Sequence, residues 1–213
     1  MTDMQTRPQL GWLPAAPPLV LASGSAARAA LLAGAGLRFV RDSANIDEAE
    51  VKRSLRTAQA TAESVAGTLA ELKALHVSRR HPGALVIGAD QMLDRDGEWF
   101  DKPADMDAAR AHLLALRGRT HHLVTAAVVL RDGHKLWGHA ERAAMTMRPL
   151  SDAFVEAYLA ALGPAALDSV GAYQLEGVGA QLFARVEGDF FTILGLPLLP
   201  LLDFLRGHGA LLA

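Results

Sequence analysis

The stretch Val86–Pro103, VIGADQMLDRDGEWFDKP, narrows the choice of fold more than any other in the chain. It begins in an apolar run, Leu85–Ala89, with the length and content of a buried strand. Asp90 stands where that run ends, and Asp96-Gly97 is a hairpin turn signal. The second arm, Glu98–Asp101, leads into Lys102-Pro103. A three-residue loop with Asp96 at its apex sets Asp90 opposite Lys102, whereas a two-residue Asp96-Gly97 loop sets Gln91 there. Either register brings a carboxylate and an ammonium together at the mouth of a sheet. An acid able to deprotonate water, beside a cation able to hold a phosphate, suits hydrolysis. An ordinary cross-strand ion pair has the same signature.

The rest of the chain alternates strand-like and helix-like segments. Leu19–Ala22 reads as a buried strand, Ser23-Gly24-Ser25 as a small-residue loop, and Ala26–Ala33 as a helix closed by Gly34 and Gly36. Strand, short polar loop and helix together present free backbone N–H groups to an anion. Arg28 falls in the first turn of that helix, where a cation opposes the helix dipole but is well placed to grip a phosphate. Leu37–Arg41 is a candidate second strand, and Asn45–Glu50 an acidic loop whose Asp47 and Glu48 suit a divalent cation near phosphates. Thr61–Arg80 is the clearest helix, with an apolar stripe of Val65, Leu69, Leu72 and His76. Lys73 lies about 60° from the centre of that stripe at ~100° per residue, on an edge where lysines snorkel outward or turn in to a ligand. Beyond the hairpin, Asp105 caps a helix that ends at Gly118, and Thr120–Leu130 and Lys135–Met147 are long strands joined by Arg131-Asp132-Gly133-His134. Ser151 caps a helix that stops at Gly163-Pro164. Val170–Gly179 is a glycine-punctuated loop around Tyr173 and Glu176. Gln181–Val186 is strand-like, and a closing helix runs to Arg206. Hairpins among alternating elements make the expected sheet mixed rather than wholly parallel.

Composition excludes several classes. With 213 residues, 51% of them hydrophobic, the chain can build one large domain or two small lobes sharing a sheet. A formal charge of −2 gives no reason to expect nucleic acid or an acidic membrane as partner. The absence of cysteine rules out disulfides and thiolate metal sites and suits the cytoplasm. Leu10–Ala22 is apolar enough to be weighed as a signal peptide, but it holds three prolines and only Arg7 precedes it as a cation. Met1–Pro17 is therefore expected to be a loose leader, followed by one domain over residues 18–207.

Eight blocks then occur in a familiar order: LASGSAARAALL (Leu21–Leu32), IDE (Ile46–Glu48), LAELKA (Leu69–Ala74), GADQ (Gly88–Gln91), DKP (Asp101–Pro103), LRGRTHHLVTAAVVL (Leu116–Leu130), GAYQLEGVGAQLFARVEGD (Gly171–Asp189) and ILGLPL (Ile193–Leu198). In order and spacing they resemble the Maf family from about Leu19 to Arg206. The resemblance implies an α/β protein like the inosine triphosphate pyrophosphatases: a mixed twisted sheet flanked by helices in an elongated, two-lobed body with a central cleft. It implies a hydrolase that cuts nucleoside triphosphates between the α- and β-phosphates. It also implies a divalent cation, usually magnesium, a nucleoside triphosphate as substrate, and a homodimer.

By the same resemblance the proton acceptor is Asp90, supported by Arg28, Glu48, Lys73 and Lys102. Glu48 and Asp90 are the expected metal ligands. Ser23, Gly24, Ser25, Gln91 and Glu176 are the expected substrate contacts. Pyrimidine-preferring members tend to have Thr after the catalytic Asp and Gln before the later Gly. Gln91 and Glu176 stand there instead, as in members that prefer 7-methyl-GTP. A buried, unpaired carboxylate at 176 would accept from guanine N–H groups and repel a uracil oxygen. The first block departs from the family's Ser-x-Ser-Pro-Arg-Arg: Ala26-Ala27 replace its proline and first arginine. Two other readings stay open on the sequence. One is a nucleotidyltransferase, from the faint likeness of Leu21–Arg28 to its LAxGxxxR loop; the other is a nucleotide-binding regulator of cell division with weak activity.

Overall fold

The computed structural model describes residues 11–213. The elements in order are β1 (Leu19–Leu21), α1 (Ala26–Gly34), β2 (Val40–Arg41), α2 (Glu48–Thr57), α3 (Ala62–Ser78), β3 (Leu85–Arg95), β4 (Glu98–Phe100), α4 (Met106–Leu116), β5 (Thr120–Arg131), β6 (His134–Met147), α5 (Asp152–Leu162), β7 (Phe183–Glu187), α6 (Phe190–Ile193) and α7 (Leu198–Gly207). Short 3-10 turns fill the interval from Gly163 to Leu182. The strands form a seven-stranded sheet in the order β2-β1-β3-β5-β6-β7, with β4 paired to β3. β1 is parallel to both β2 and β3, while β3–β4 and β6–β7 are antiparallel, so the sheet is mixed, as expected.

The chain divides into two compact units. Of the described residues, unit 1 holds 11–90, Thr125–Glu141 and Gly195–Ala213; unit 2 holds Gln91–Val124 and Arg142–Leu194. In unit 1, Val20, Ala22, Ala70, Ala74, Val77, Val86, Val128 and Leu130 make one apolar cluster. Here α3 lies unusually close to β3. A Cβ added at Gly88 would sit 2.0 Å from the Ala70 carbonyl oxygen and 2.9 Å from the Ala74 Cβ. The buried stripe of α3 is consequently Val65, Ala66, Leu69, Ala70, Lys73, Ala74 and Val77. It is rotated from the expected one, because the alanines, not Leu72 and His76, face the sheet. In unit 2, α4 and α5 pack with the 3-10 turns over Leu93, Phe100, Leu123, Met145 and Met147.

Residues 1–10 of the expected leader lie outside the described residues. Next to them, Trp12 bridges Leu211 and the Leu13 N–H donates to the Ala210 carbonyl, so this part is paired to the C-terminal end. The apolar stretch tested as a signal contains β1, whose three residues are all buried. Among the described residues no helix is long and apolar enough to cross a membrane.

Both hairpins turn through left-handed pairs. Asp96 and Gly97 have φ of 53° and 87°, and Asp132 and Gly133 have 50° and 80°. That is the two-residue type I′ loop whose twist matches the strands it joins. The register is Leu93↔Phe100, Asp94↔Trp99 and Arg95↔Glu98. The three-residue alternative, with Asp90 opposite Lys102, is thereby set aside. The ladder stops at Phe100, so Lys102 lies beyond the last pair, with its side chain exposed.

Two local expectations are corrected. Asn45–Glu50 is not a loop throughout. Asp47 caps α2 by accepting from the Glu50 N–H, and Glu48 is the first residue of the helix. The sequence hides α2 because its apolar face is only the half-buried pair Val51 and Leu55 among charged residues, and none of its residues is fully buried; its cap and an Arg53–Glu50 pair support it as well. The second strand, expected over Leu37–Arg41, shortens to Val40–Arg41.

Candidate active site

Unit 1 gathers most of the expected residues. Because β1 lies between β2 and β3, the loop after it leaves the sheet flanked by both neighbours. Leu21 is level with Arg41 on one side and Ile87 on the other. The Ala22 N–H still donates to Ile87 O at 2.8 Å, and the chain then turns at Ser23-Gly24-Ser25 into α1. Ser25 is the N-cap, its hydroxyl accepting from the Arg28 N–H at 3.3 Å. The Ser23 hydroxyl accepts from the Ser25 N–H at 3.2 Å.

Arg28 is buried, at 9% exposure. Its Nη1 donates to Ser23 Oγ at 3.1 Å and its Nε to Gly195 O at 2.7 Å. It therefore straps the loop to the segment before α7, and two of its five donors are committed to protein. Burial pushes its pKa down, while Asp90 and Glu48 oppose the shift; a guanidinium remains charged throughout. Gly195 makes room for this strap: its φ is +103°, and a Cβ there would lie 3.3 Å from Arg28 Nε.

Asp90 sits inside β3 rather than at its end, since the strand continues through Gln91 to Arg95. It is 5% exposed. Lys73 Nζ donates to Asp90 Oδ1 at 2.6 Å and lies 2.9 Å from Glu48 Oε1. Asp90 Oδ2 is buried and has no hydrogen-bond partner among the described residues. One ammonium from α3 thus holds two carboxylates, one from α2 and one from β3. The close approach at Gly88 brings α3 near enough for the buried Lys73 to reach the acid. Upstream of α2, Asp42 accepts from Arg80 Nε and Nη2 at 2.9 and 2.8 Å and contacts His81 Nε2 at 2.9 Å. Those hydrogen bonds, Arg80's first, hold the Asp42 carboxyl down at about 2. The chain from β2 to α2 is thereby fixed to the end of α3.

A divalent cation fits this donor set. Among the described residues no cluster of three or more metal-ligating side chains exists. Magnesium, however, commonly takes only one or two carboxylates and completes its shell with phosphate oxygens and water. Asp90 Oδ2 is an unused buried acceptor, and Glu48 Oε1 lies on the same ammonium.

Unit 2 holds the remaining expected residues. Gln91 Nε2 donates to Thr192 O at 3.1 Å and to Ile193 O at 3.0 Å, so its amide N–H groups are directed to backbone. Glu176 is exposed, and among the described residues it has no ion-pair partner. It lies on a segment fixed from below. Tyr173 is 4% exposed and its OH is 2.7 Å from Nε2 of the fully buried His121. Burial pushes His121 down to about 4, so the imidazole is neutral and shares a single hydrogen bond with the phenol.

Sequence reasoning did not single out Arg41. Its Nη2 donates to Gly24 O at 2.8 Å while its side chain stays exposed. The signal was its place at the end of the strand beside β1. Gly195 was also missed as the acceptor for Arg28.

The family model for Maf-like protein matches residues 18–208. The chain belongs to the Maf-like family. Curated relatives match along nearly their whole length. A protein of Paramagnetospirillum magneticum named nucleoside triphosphate pyrophosphatase is 60% identical over 90% of this chain and 99% of its own. One of the same name from Rhodospirillum rubrum is 54% identical over 92% of this chain and 98% of its own. A Mesorhizobium japonicum protein named 7-methyl-GTP pyrophosphatase is 54% identical over 91% of this chain and 97% of its own. Within this Maf-like chain, the blocks that carry the family pattern are the segments that build the Lys73 cluster and the Tyr173 segment.

Proposed function

We propose that this chain is a nucleoside triphosphate pyrophosphatase that converts a nucleoside triphosphate and water to the monophosphate and pyrophosphate. The observation that carries the reading is Asp90: a buried carboxylate with one oxygen on Lys73 and the other without a partner. The names of the relatives support it. Asp90 takes a proton from water as the water oxygen bonds to the α-phosphorus. The bond from that phosphorus to the bridging oxygen breaks, and its electron pair leaves with pyrophosphate. Lys73 fixes the rotamer of Asp90 and keeps a positive charge beside the phosphates. Ser23, Gly24, Ser25 and the start of α1 offer N–H and hydroxyl donors to phosphate oxygens, and Arg28 holds that loop in shape. Lys102 is read from its match to the family pattern as a further phosphate-holding cation. A divalent ion held by Glu48 and Asp90 would supply charge neutralisation on the phosphate oxygens.

Turnover is expected to require a divalent cation. Excess EDTA should abolish pyrophosphate release and added magnesium restore it; full activity in chelator would remove Glu48 and Asp90 from the metal role. The enzyme so proposed is cytoplasmic and homodimeric, the latter checked by sedimentation.

The base preference proposed is 7-methyl-GTP over dTTP and UTP, and it rests on Glu176. Gln91, with its N–H groups on backbone carbonyls, is a support for the α6 segment rather than a reader of the base. A carboxylate accepts from guanine N1–H and the exocyclic amine and has nothing to accept from on a uracil carbonyl. Because Glu176 is exposed, its discrimination depends on how fully the base covers it. Glu176→Gln is expected to narrow the ratio of kcat/KM for 7-methyl-GTP to that for UTP by about tenfold or more. A wild type that favours UTP or dTTP would refute the preference and leave the pyrophosphatase reading intact.

A further inference from the structure

The geometry points to Arg41 as a phosphate-holding residue that supplies the free guanidinium this loop otherwise lacks. The inference rests on the reading of the Lys73 cluster as a triphosphate site. β1 runs between β2 and β3, so its outgoing loop has Arg41 on one flank and the Asp90 strand on the other. Arg41 Nη2 donates to Gly24 O, in the middle of the Ser23–Ser25 turn, which places the guanidinium on the loop itself.

The charges decide what that guanidinium is for. Arg28 is buried and already donates to Ser23 and Gly195. Lys73 is held between Asp90 and Glu48. Before any divalent cation binds, these two cations and two carboxylates leave the side chains of the cluster formally neutral. Arg41 brings one positive charge more. Its side chain is exposed, and among the described residues no carboxylate pairs with it. One N–H bond to Gly24 leaves the rest of a five-donor planar fork, which suits two oxygens of a phosphate. The position also bears on Ala27, which stands where the family block has an arginine. A guanidinium entering from β2 reaches the same turn that an arginine at the start of α1 would serve.

The rival role for Arg41 is that of a strap on Gly24 alone, and the two roles separate on charge. Arg41→Gln keeps an amide N–H donor beside the turn, on a side chain two atoms shorter, and removes the charge; Arg41→Ala removes both. Binding of inorganic tripolyphosphate, measured by calorimetry, and KM for the nucleoside triphosphate are the readouts, with Arg38→Ala as an exposed-arginine control. We expect both Arg41 variants to weaken tripolyphosphate binding and raise KM by about tenfold or more, with kcat within about threefold of wild type and Arg38→Ala unchanged. Ala27→Arg in the Arg41→Ala background should recover a substantial part of the loss. Wild-type affinity in Arg41→Gln makes Arg41 a strap and overturns the inference, as does wild-type affinity in Arg41→Ala. Pyrophosphate release by the wild type is scored separately. Its absence overturns the underlying pyrophosphatase reading, whereas its presence with Arg41-independent binding overturns only this inference.

Discussion

Asp90→Asn is expected to leave the protein folded and to lower kcat for pyrophosphate release by at least about a hundredfold, within the ~10²–10⁴ range of general-base catalysis. The fold survives for a specific reason. Asparagine keeps the shape of the side chain and an oxygen for Lys73, and Lys73 retains Glu48 at 2.9 Å as its counter-charge. The amide nitrogen then stands where Oδ2 was, and it has no lone pair with which to take a proton. Thermal melting and a steady-state pyrophosphate assay on the same preparation check both halves. A variant that keeps more than about a tenth of wild-type kcat would take Asp90 out of the role of base.

Lys73→Met is expected to damage stability and rate together. The side chains of Lys73 and Asp90 are only 10% and 7% exposed, and removing one member of a buried pair costs about 3–5 kcal/mol because the other charge is left in place. For a chain of this size that corresponds to a fall in Tm of roughly 10 °C. The Glu48 contact adds little to this figure, since that carboxylate is 44% exposed and screened by water. Activity should fall by about a hundredfold or more, because Asp90 loses the donor that orients it and the phosphates lose a nearby cation. In Lys73→Met combined with Asp90→Asn, the loss of stability should shrink, since no unpaired buried charge remains. Equal melting temperatures for Lys73→Met and wild type would show that the pair does not hold α3 to β3.

Most of the architecture was legible because local chemistry and tertiary packing agree. Asp96-Gly97 and Asp132-Gly133 require left-handed backbone and obtain it, and Thr61, Asp105 and Ser151 cap the helices they announce. Two kinds of element were hidden. α2 fully buries no residue, and its apolar face is the single pair Val51 and Leu55 among charges, too short for periodicity to separate it from an acidic loop. The inner face of α3 is built from alanines, and a stripe drawn through the larger Leu72 and His76 rotates the helix and pushes Lys73 to an edge. The Gly88 contact, which explains that preference for small residues, joins positions on two different elements and cannot be read from either alone. The candidate site divides similarly. Asp90 stood out at the end of an apolar run, Lys73 at the edge of an apolar stripe and Glu48 in an acidic segment, whereas the commitment of Arg28 to Gly195 and the reach of Arg41 to Gly24 depend on chain crossings that spacing does not encode.

That α2 has no buried residue gives Glu48 a different standing from its partners. Asp90 and Lys73 belong to elements whose amides open only when the unit 1 core does. α2 is a ten-residue helix outside any core, a length at which isolated helices are marginal in water. Its amides should exchange with solvent deuterium orders of magnitude faster than those of α3 and β3, through local opening that leaves the sheet intact. One carboxylate of the cluster therefore rides on a segment with its own melting equilibrium. Whatever binds at Glu48 is expected to slow exchange along the whole of α2, so that occupancy of the site can be read in the backbone far from any phosphate.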